Sequence, residues 1–285
     1  MAANIFSISG DEVNSLAEFM RKEKKNQWNN LLYYPEVFGK DDGKYLVFDN
    51  KSFENVSFKD TTFKNIRFIR CVFNKCLFMG AVFNDCEFTD CQFIDTNTSK
   101  LKINRTLIDP KCFDNNFDLK NDTNIAVNLY HALYKNSSRE YQSDHALDSL
   151  YKMKVAEFHH LRSRFERGVI TKKEYNRQRT KHVIYNFISG YGLKTSKVVR
   201  LLLIFIATFS FFNFILSGSI FEQRLDFSFI DSIYFTCVTV TTLGYGDITP
   251  YTSFGKIFVA IQALFGFVVI SLFMAAVINK ALKAV

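Results

Sequence analysis

Residues 46–95 read LVFDNKSFENVSFKDTTFKNIRFIRCVFNKCLFMGAVFNDCEFTDCQFID, and phenylalanine returns at 48, 53, 58, 63, 68, 73, 78, 83, 88 and 93 without a break. The register continues as Thr98, Ile103, Ile108 and Phe113. Neither a helix, with about 3.6 residues per turn, nor a strand, alternating every two, has a period of five. A chain that turns a corner once per five residues does have it: each pentapeptide makes one side of a square coil, and each Phe points to the axis. A second column lies two positions before each Phe. Leu46, Val56, Thr61, Ile66, Cys71, Cys76, Ala81, Cys86 and Cys91 are small or apolar and suit an inward placement, while Lys51 breaks the column.

These features resemble the pentapeptide-repeat family, whose right-handed quadrilateral β-helix stacks four pentapeptides per coil. The resemblance implies such a domain over 46–114. It also accounts for most of the six cysteines, since four of them fill the inward column as compact apolar groups. Before the repeat, residues 10–34 predict a short amphipathic helix with Val13, Leu16, Phe19 and Met20 on one face. It would belong to a helical cap over 1–45 that closes the open end of the coil. After the repeat, helical spacing over Thr123–Tyr134, Asp144–Arg167 and 171–189 predicts a cytoplasmic helical linker over 115–197.

Farther out the chain changes character. Val198–Leu216 is apolar apart from Arg200 and Asn213, and Ile257–Ile278 is interrupted mainly by Gln262 and Ser271. Both are close to the roughly 20 residues that cross a bilayer. A mean hydropathy near zero averages over these unlike parts. The first twenty residues lack a basic segment followed by an apolar one, so no secretory signal is expected. The net charge of +8 resides in residues 120–197, where 15 Lys and Arg face 7 Asp and Glu. That basic stretch abuts the first span. The loop between spans carries Glu222, Asp226, Asp231 and Asp247 against Arg224, and Lys280 and Lys283 follow the second span. The positive-inside bias therefore predicts a multi-pass protein of the plasma or inner membrane with both termini cytoplasmic. The basic stretch predicts contact with anionic lipid headgroups rather than nucleic acid.

Between the spans, Ser228–Val240 is apolar enough for a short pore helix and runs directly into TTLGYGD, residues 241–247. A dehydrated cation needs oxygens in place of its water shell, and main-chain carbonyls supply them when successive ones face one axis. Gly244 and Gly246 permit the dihedrals this requires. The carbonyls of Thr242, Leu243, Gly244 and Tyr245, with the Thr242 hydroxyl, are the candidate ion ligands, and the C-terminal end of the pore helix presents partial negative charge to the path.

Here the sequence resembles the two-transmembrane potassium channels of prokaryotes, over roughly residues 198–282, with TTLGYGDITP as the carrying motif. The resemblance implies an all-α pore domain over 198–285: outer helix 198–217, pore helix 228–240, filter 241–247 and inner helix 255–280. The whole chain is then a multidomain membrane protein, a β-helix followed by a helical linker and this pore domain. It implies a homotetramer with K+ ions held in the filter by Thr242, Leu243, Gly244, Tyr245 and Gly246, and no other cofactor. Thr241, Asp247, Tyr234, Phe235 and Val238 would support the filter. Tyr245 would pack against pore-helix aromatics such as Tyr234 and Phe235. Val238 stands where some members carry an acid, so the carboxylate brace to Asp247 is expected to be missing. Gly266 falls at the gating-hinge position of many members, with close packing as the alternative role. A second GYG, at 190–192, lacks the threonine run and reads as a turn.

Other classes fit poorly. Residues 46–95 are nearly neutral, which argues against DNA mimicry. No nucleophile–base set, metal-ligand cluster or phosphate loop is present, so no enzyme is expected. No intramembrane arginine series is present, so no intrinsic voltage sensor is expected. The chain ends soon after the inner helix, so control of opening is expected through the N-terminal domain, acting as sensor or scaffold with a regulatory partner the sequence does not name.

Overall fold

The structure, a computed structural model, describes residues 7–39, 44–221 and 227–283. Glu222, Arg224 and Asp226 of the loop, and the side chains of Lys280 and Lys283, lie outside the described residues. The chain divides into two compact units, Met1–Lys181 and His182–Val285.

The first unit opens with β1 (Asp11–Val13), α1 (Leu16–Arg21), β2 (Gln27–Tyr33), β3 (Val37–Gly39) and β4 (Leu46–Asp49). The coil continues through β5 (Ser52–Ser57), β6 (Thr62–Ile69), β7 (Val72–Asn74), β8 (Val82–Thr89), β9 (Gln92–Ile94), β10 (Lys102–Asn104) and β11 (Leu107–Ile108). Pairing between strands is parallel, and Phe53 lies beside Phe73, Phe73 beside Phe93, and Phe68 beside Phe88. Equivalent residues are twenty apart, so a turn holds four pentapeptides. This is the parallel β-solenoid that the period of five predicts.

The local cause of the corners is a left-handed residue two positions after each Phe. Asn50, Asn55, Asp60, Asn65, Arg70, Lys75, Gly80, Asp85, Asp90, Asp95, Lys100 and Arg105 all have positive φ. Asn, Asp and Gly adopt this conformation readily, and they hold most of the corners. This corner column is a third periodic signal, beside the Phe column and the inward one.

The axis is filled by rings. One column runs Phe19, Trp28, Phe53, Phe73, Phe93, Phe113, with centroids 5.3, 5.1, 4.9, 4.7 and 4.3 Å apart. These steps approximate the spacing of neighbouring strands, about 4.8 Å, so the backbone ladder and the ring stack share a repeat. Each fully buried Phe contributes about 1.5–3 kcal/mol of transfer free energy.

The helical cap expected over 1–45 is corrected: among its described residues only α1 is α-helical, and the remainder includes three strands. Trp28, Tyr33 and Phe38 continue the five-residue register backwards and are buried like the later phenylalanines. Trp28 pairs with Phe53 and Phe38 with Phe63, a step of twenty-five rather than twenty, so the first turn carries five extra residues between Phe38 and Phe48. The expected capping role falls to α1: Phe19 sits on the ring stack, and Trp28 Nε1 donates to the Phe19 carbonyl at 2.7 Å. Lys51, the misfit of the inward column, reaches Glu23 and Asn26 instead.

Two asparagines close the opposite end. The Asn116 side chain accepts from Thr96 N at 2.8 Å and donates to Thr96 O at 3.0 Å, while Asn136 does the same for Thr106 at 3.2 and 2.7 Å. Each carboxamide imitates the next backbone amide of the ladder. Asn136 belongs to α2 (Thr123–Arg139), which pairs with α3 (Ser143–Glu166), and Ala126, Leu129, Leu133, Met153 and Ala156 extend the core.

In the second unit the end of α4 (Lys172–Ser189) leads through Gly190, Tyr191 and Gly192, with φ of 55°, 62° and 77°, into α5 (Thr195–Ile215). The second GYG is thus the expected turn. Next come α6 (Ser217–Ile220), α7 (Phe229–Val240) and α8 (Ser253–Lys283). Thr195–Ile215 and Ser253–Ile278 have the length and composition to cross a membrane, since 21 residues rise about 31 Å.

Candidate ion-conduction site

α7 begins at a capping box. Ser228 Oγ accepts from Asp231 N at 3.2 Å, and the Asp231 carboxylate accepts from Ser228 N at 2.9 Å. This fixes the start of the helix. At its other end Thr241 Oγ1 donates to Cys237 O at 2.7 Å, and the amides of Leu243 and Gly244 reach the Val238 carbonyl at 3.0 and 3.4 Å. The Val238 carbonyl therefore holds the residues that follow α7.

Along the segment the backbone alternates. Thr242, Gly244 and Gly246 have φ of 60°, 55° and 80°, whereas Leu243 and Tyr245 are not in the positive region. A peptide chain in which alternate residues change hand turns successive carbonyls toward one side. The glycines take this conformation freely, but Thr242 is β-branched and strained by it. The motif points to its glycines alone for unusual dihedrals, and the strained threonine is an addition to them. Residues 241–247 are exposed on the single chain, and none of the described hydrogen bonds ends on a carbonyl of residues 242–246.

Two of the residues expected to support the segment have partners within the chain. The Tyr234 hydroxyl donates to the Asp247 carboxylate at 2.7 Å. Asp247 is therefore braced, by a tyrosine one turn before Val238 rather than by an acid at that position. Phe235 is buried with Ile220 and Phe221 and meets the Phe221 ring edge-on at 4.9 Å. Tyr245 is two-thirds exposed on the single chain.

Gly266 lies against the end of α7. A Cβ at this position would stand 3.1 Å from Val240 Cγ2 and 3.3 Å from Val240 Cα. Of the two roles considered for this glycine, the packing one has a direct observation behind it. Nearby, Asn213 Nδ2 donates to Thr236 Oγ1 at 2.9 Å and to Gln262 Oε1 at 3.1 Å, which joins α5, α7 and α8. In the sequence Asn213 and Gln262 stand out only as interruptions of apolar runs; partners 23 and 49 residues away leave no periodic signal. Among the described residues no group of three or more His, Cys, Asp and Glu side chains could hold a metal ion.

Residues 197–283 match the ion channel family. This segment is an ion-channel domain. The matched family is one of channels rather than enzymes. The channel domain is also similar to potassium channels of distant organisms. Two-pore potassium channel 5 of Arabidopsis thaliana is 43% identical over 53 residues, 19% of this chain and 13% of that protein. A hyperpolarization-activated voltage-gated potassium channel of Methanocaldococcus jannaschii is 50% identical over 38 residues, 13% of this chain and 18% of that protein. Two-pore potassium channel 4 of Arabidopsis thaliana is 37% identical over 78 residues, 27% and 26% of the two chains. This chain thus spans about a quarter or less of these relatives, and its solenoid lies outside the channel domain.

Proposed function

We propose that the protein is a potassium-selective channel in which four copies of the channel domain surround one conduction path. The observation that carries this reading is the alternating handedness at Thr242, Gly244 and Gly246 within TTLGYGD. On this reading the carbonyls of Thr242, Leu243, Gly244 and Tyr245 share one side and serve as the oxygen ligands that a dehydrated cation needs. One chain supplies one such strand, which cannot encircle an ion. Rotational symmetry about the path does so, and it also covers the apolar residues exposed along α8, such as Leu264 and Phe267.

In this reading the permeant ion is K+, both termini are cytoplasmic, and no segment of the chain senses voltage. Basic residues before α5, with Val183, Ile184, Tyr185 and Phe187 exposed on α4, suit a lipid surface bearing anionic headgroups. The first compact unit, which contains the solenoid, offers a surface for regulation or assembly.

The deciding experiment is the reversal potential of the purified full chain in a planar bilayer under opposed K+ and Na+ gradients, with Tyr245→Ala as control. Reversal near the potassium equilibrium potential, lost in the variant, is the expected result. Reversal near zero in the unaltered protein would overturn potassium selectivity.

A further inference from the structure

The channel domain buries a polar cluster between its apolar helices. Asn213, Thr236 and Gln262 have zero exposure, as do the flanking Ser210 and Ser232. Asn213 is the hub. Its two amide protons go to different helices, one to Thr236 Oγ1 on α7 and one to Gln262 Oε1 on α8. The direction of the first bond is fixed by Thr236 itself, whose hydroxyl donates to Ser232 O at 2.8 Å and so has only lone pairs left for Asn213.

The cluster is poorly explained as a device for stability. Asn213 Oδ1, Gln262 Nε2 and Ser210 Oγ are buried without partners. Each such atom carries its desolvation cost uncompensated, whereas apolar side chains of the same size would carry none. Hydrogen bonds between membrane helices are individually weak, and an amide inside a span is retained where it serves a function.

Its location suggests that function. Thr236 lies one helical turn before Val240, the last residue of α7, and Gln262 lies one turn before Gly266, which packs on Val240. α8 is therefore tied to α7 at two successive levels, first through Asn213 of α5 and then by a close approach to the Val240 backbone. The filter segment starts immediately beyond the second.

We propose that Asn213, Thr236 and Gln262 form a polar tie that fixes the depth and rotation of α7 between the two spans, and that Asn213 is thereby a positioning residue for the filter carbonyls. The inference rests on the conduction reading given under Proposed function. When the tie is broken α7 gains rotational freedom, the carbonyls of Thr242–Tyr245 lose register, and conduction fails during sustained opening. Ions resident in the filter oppose that failure by holding the carbonyls in place.

The test uses the full chain reconstituted in bilayers, comparing the unaltered protein with Asn213→Leu/Gln262→Leu, Thr236→Val and Thr236→Ser. The double leucine variant is expected to assemble with a thermal midpoint at or above that of the unaltered protein, because the orphaned polar atoms are gone. Its K+ current is expected to decay about threefold faster, the scale of one ordinary interhelical hydrogen bond in a membrane, with the decay slowed by raising external K+. Thr236→Val should share the faster decay, and Thr236→Ser, which keeps the hydroxyl, should not. A merely structural role predicts loss of thermal stability with unchanged decay. The inference is overturned by that outcome, by failure of the double variant to assemble, or by Thr236→Ser decaying like Thr236→Val. Failure of the conduction reading is distinguishable because it shows in the unaltered protein alone, as equal passage of Na+ and K+.

Discussion

The Tyr234 hydroxyl holds the Asp247 carboxylate at 2.7 Å, linking the pore helix to the outer end of the filter segment. The two residues stand thirteen apart, and this bond closes the loop that contains every candidate ion ligand. The bond is exposed on the single chain, so its loss should have a modest effect. Tyr234→Phe should accelerate the decay of K+ current, while Tyr234→Trp, which restores an N–H donor, recovers part of the loss. Current records at fixed external K+ provide the measurement.

Gly244 has φ of 55°, and nothing lies within 4 Å of the point where a Cβ would stand, so the site is open in space and demanding only in backbone conformation. Gly244→Ala adds about 1–2 kcal/mol of left-handed strain in a segment where Thr242 already carries some. Reconstituted flux should lose K+ selectivity, with assembly by size exclusion unchanged.

Gly266 offers a test between packing and hinge bending. If the glycine exists to admit Val240, Gly266→Ala should impair conduction and Val240→Ala should restore it in the double variant, because the added methyl fills the space of the ones removed. If it exists to bend, the second substitution should restore nothing.

Asn136 closes the solenoid by pairing with both backbone groups of Thr106. Asn136→Ala leaves two buried main-chain groups unpaired, a loss of about 2–4 kcal/mol. Trp28 is the single tryptophan of the chain and sits in the ring stack, so its fluorescence follows unfolding of the coil directly. The variant should lower the thermal midpoint of that signal.

The thiols of the coil should be inert until it unfolds. Cys71, Cys76, Cys86, Cys91 and Cys112 are buried, and burial pushes the thiols of Cys76, Cys86 and Cys112 up to about 12. Alkylation requires the thiolate. At pH 8 iodoacetamide should leave Cys76, Cys86 and Cys112 unmodified in the native protein and label them in denaturant. Peptide mass mapping distinguishes the two results.

Both the coil and the unusual backbone of the TTLGYGD segment are legible in the sequence because each is set by local pattern. A period of five with one ring per unit admits few backbones, and paired glycines in TTLGYGD state a demand for unusual dihedrals. The start of the coil is harder to read for a physical reason: Trp28, Tyr33 and Phe38 keep the register with different rings, and Gly43, the position between Phe38 and Phe48, carries no ring. Aromatic residues of any kind at that spacing, rather than phenylalanine alone, are the signal that marks it.

The sequence by itself determined what is repetitive or contiguous: the solenoid, the two helices long and apolar enough to cross a membrane, the short helix between them and the TTLGYGD segment that follows it. Side-chain period and apolar length act within a few turns of chain, so they are written where they act. Only the tertiary structure decided which residues hold these parts in place. Tyr234 on Asp247, Asn136 on Thr106, Gly266 on Val240 and Asn213 between Thr236 and Gln262 are single contacts between helices, strands and loops. Each depends on the meeting of two surfaces in space, and no local pattern records such a meeting.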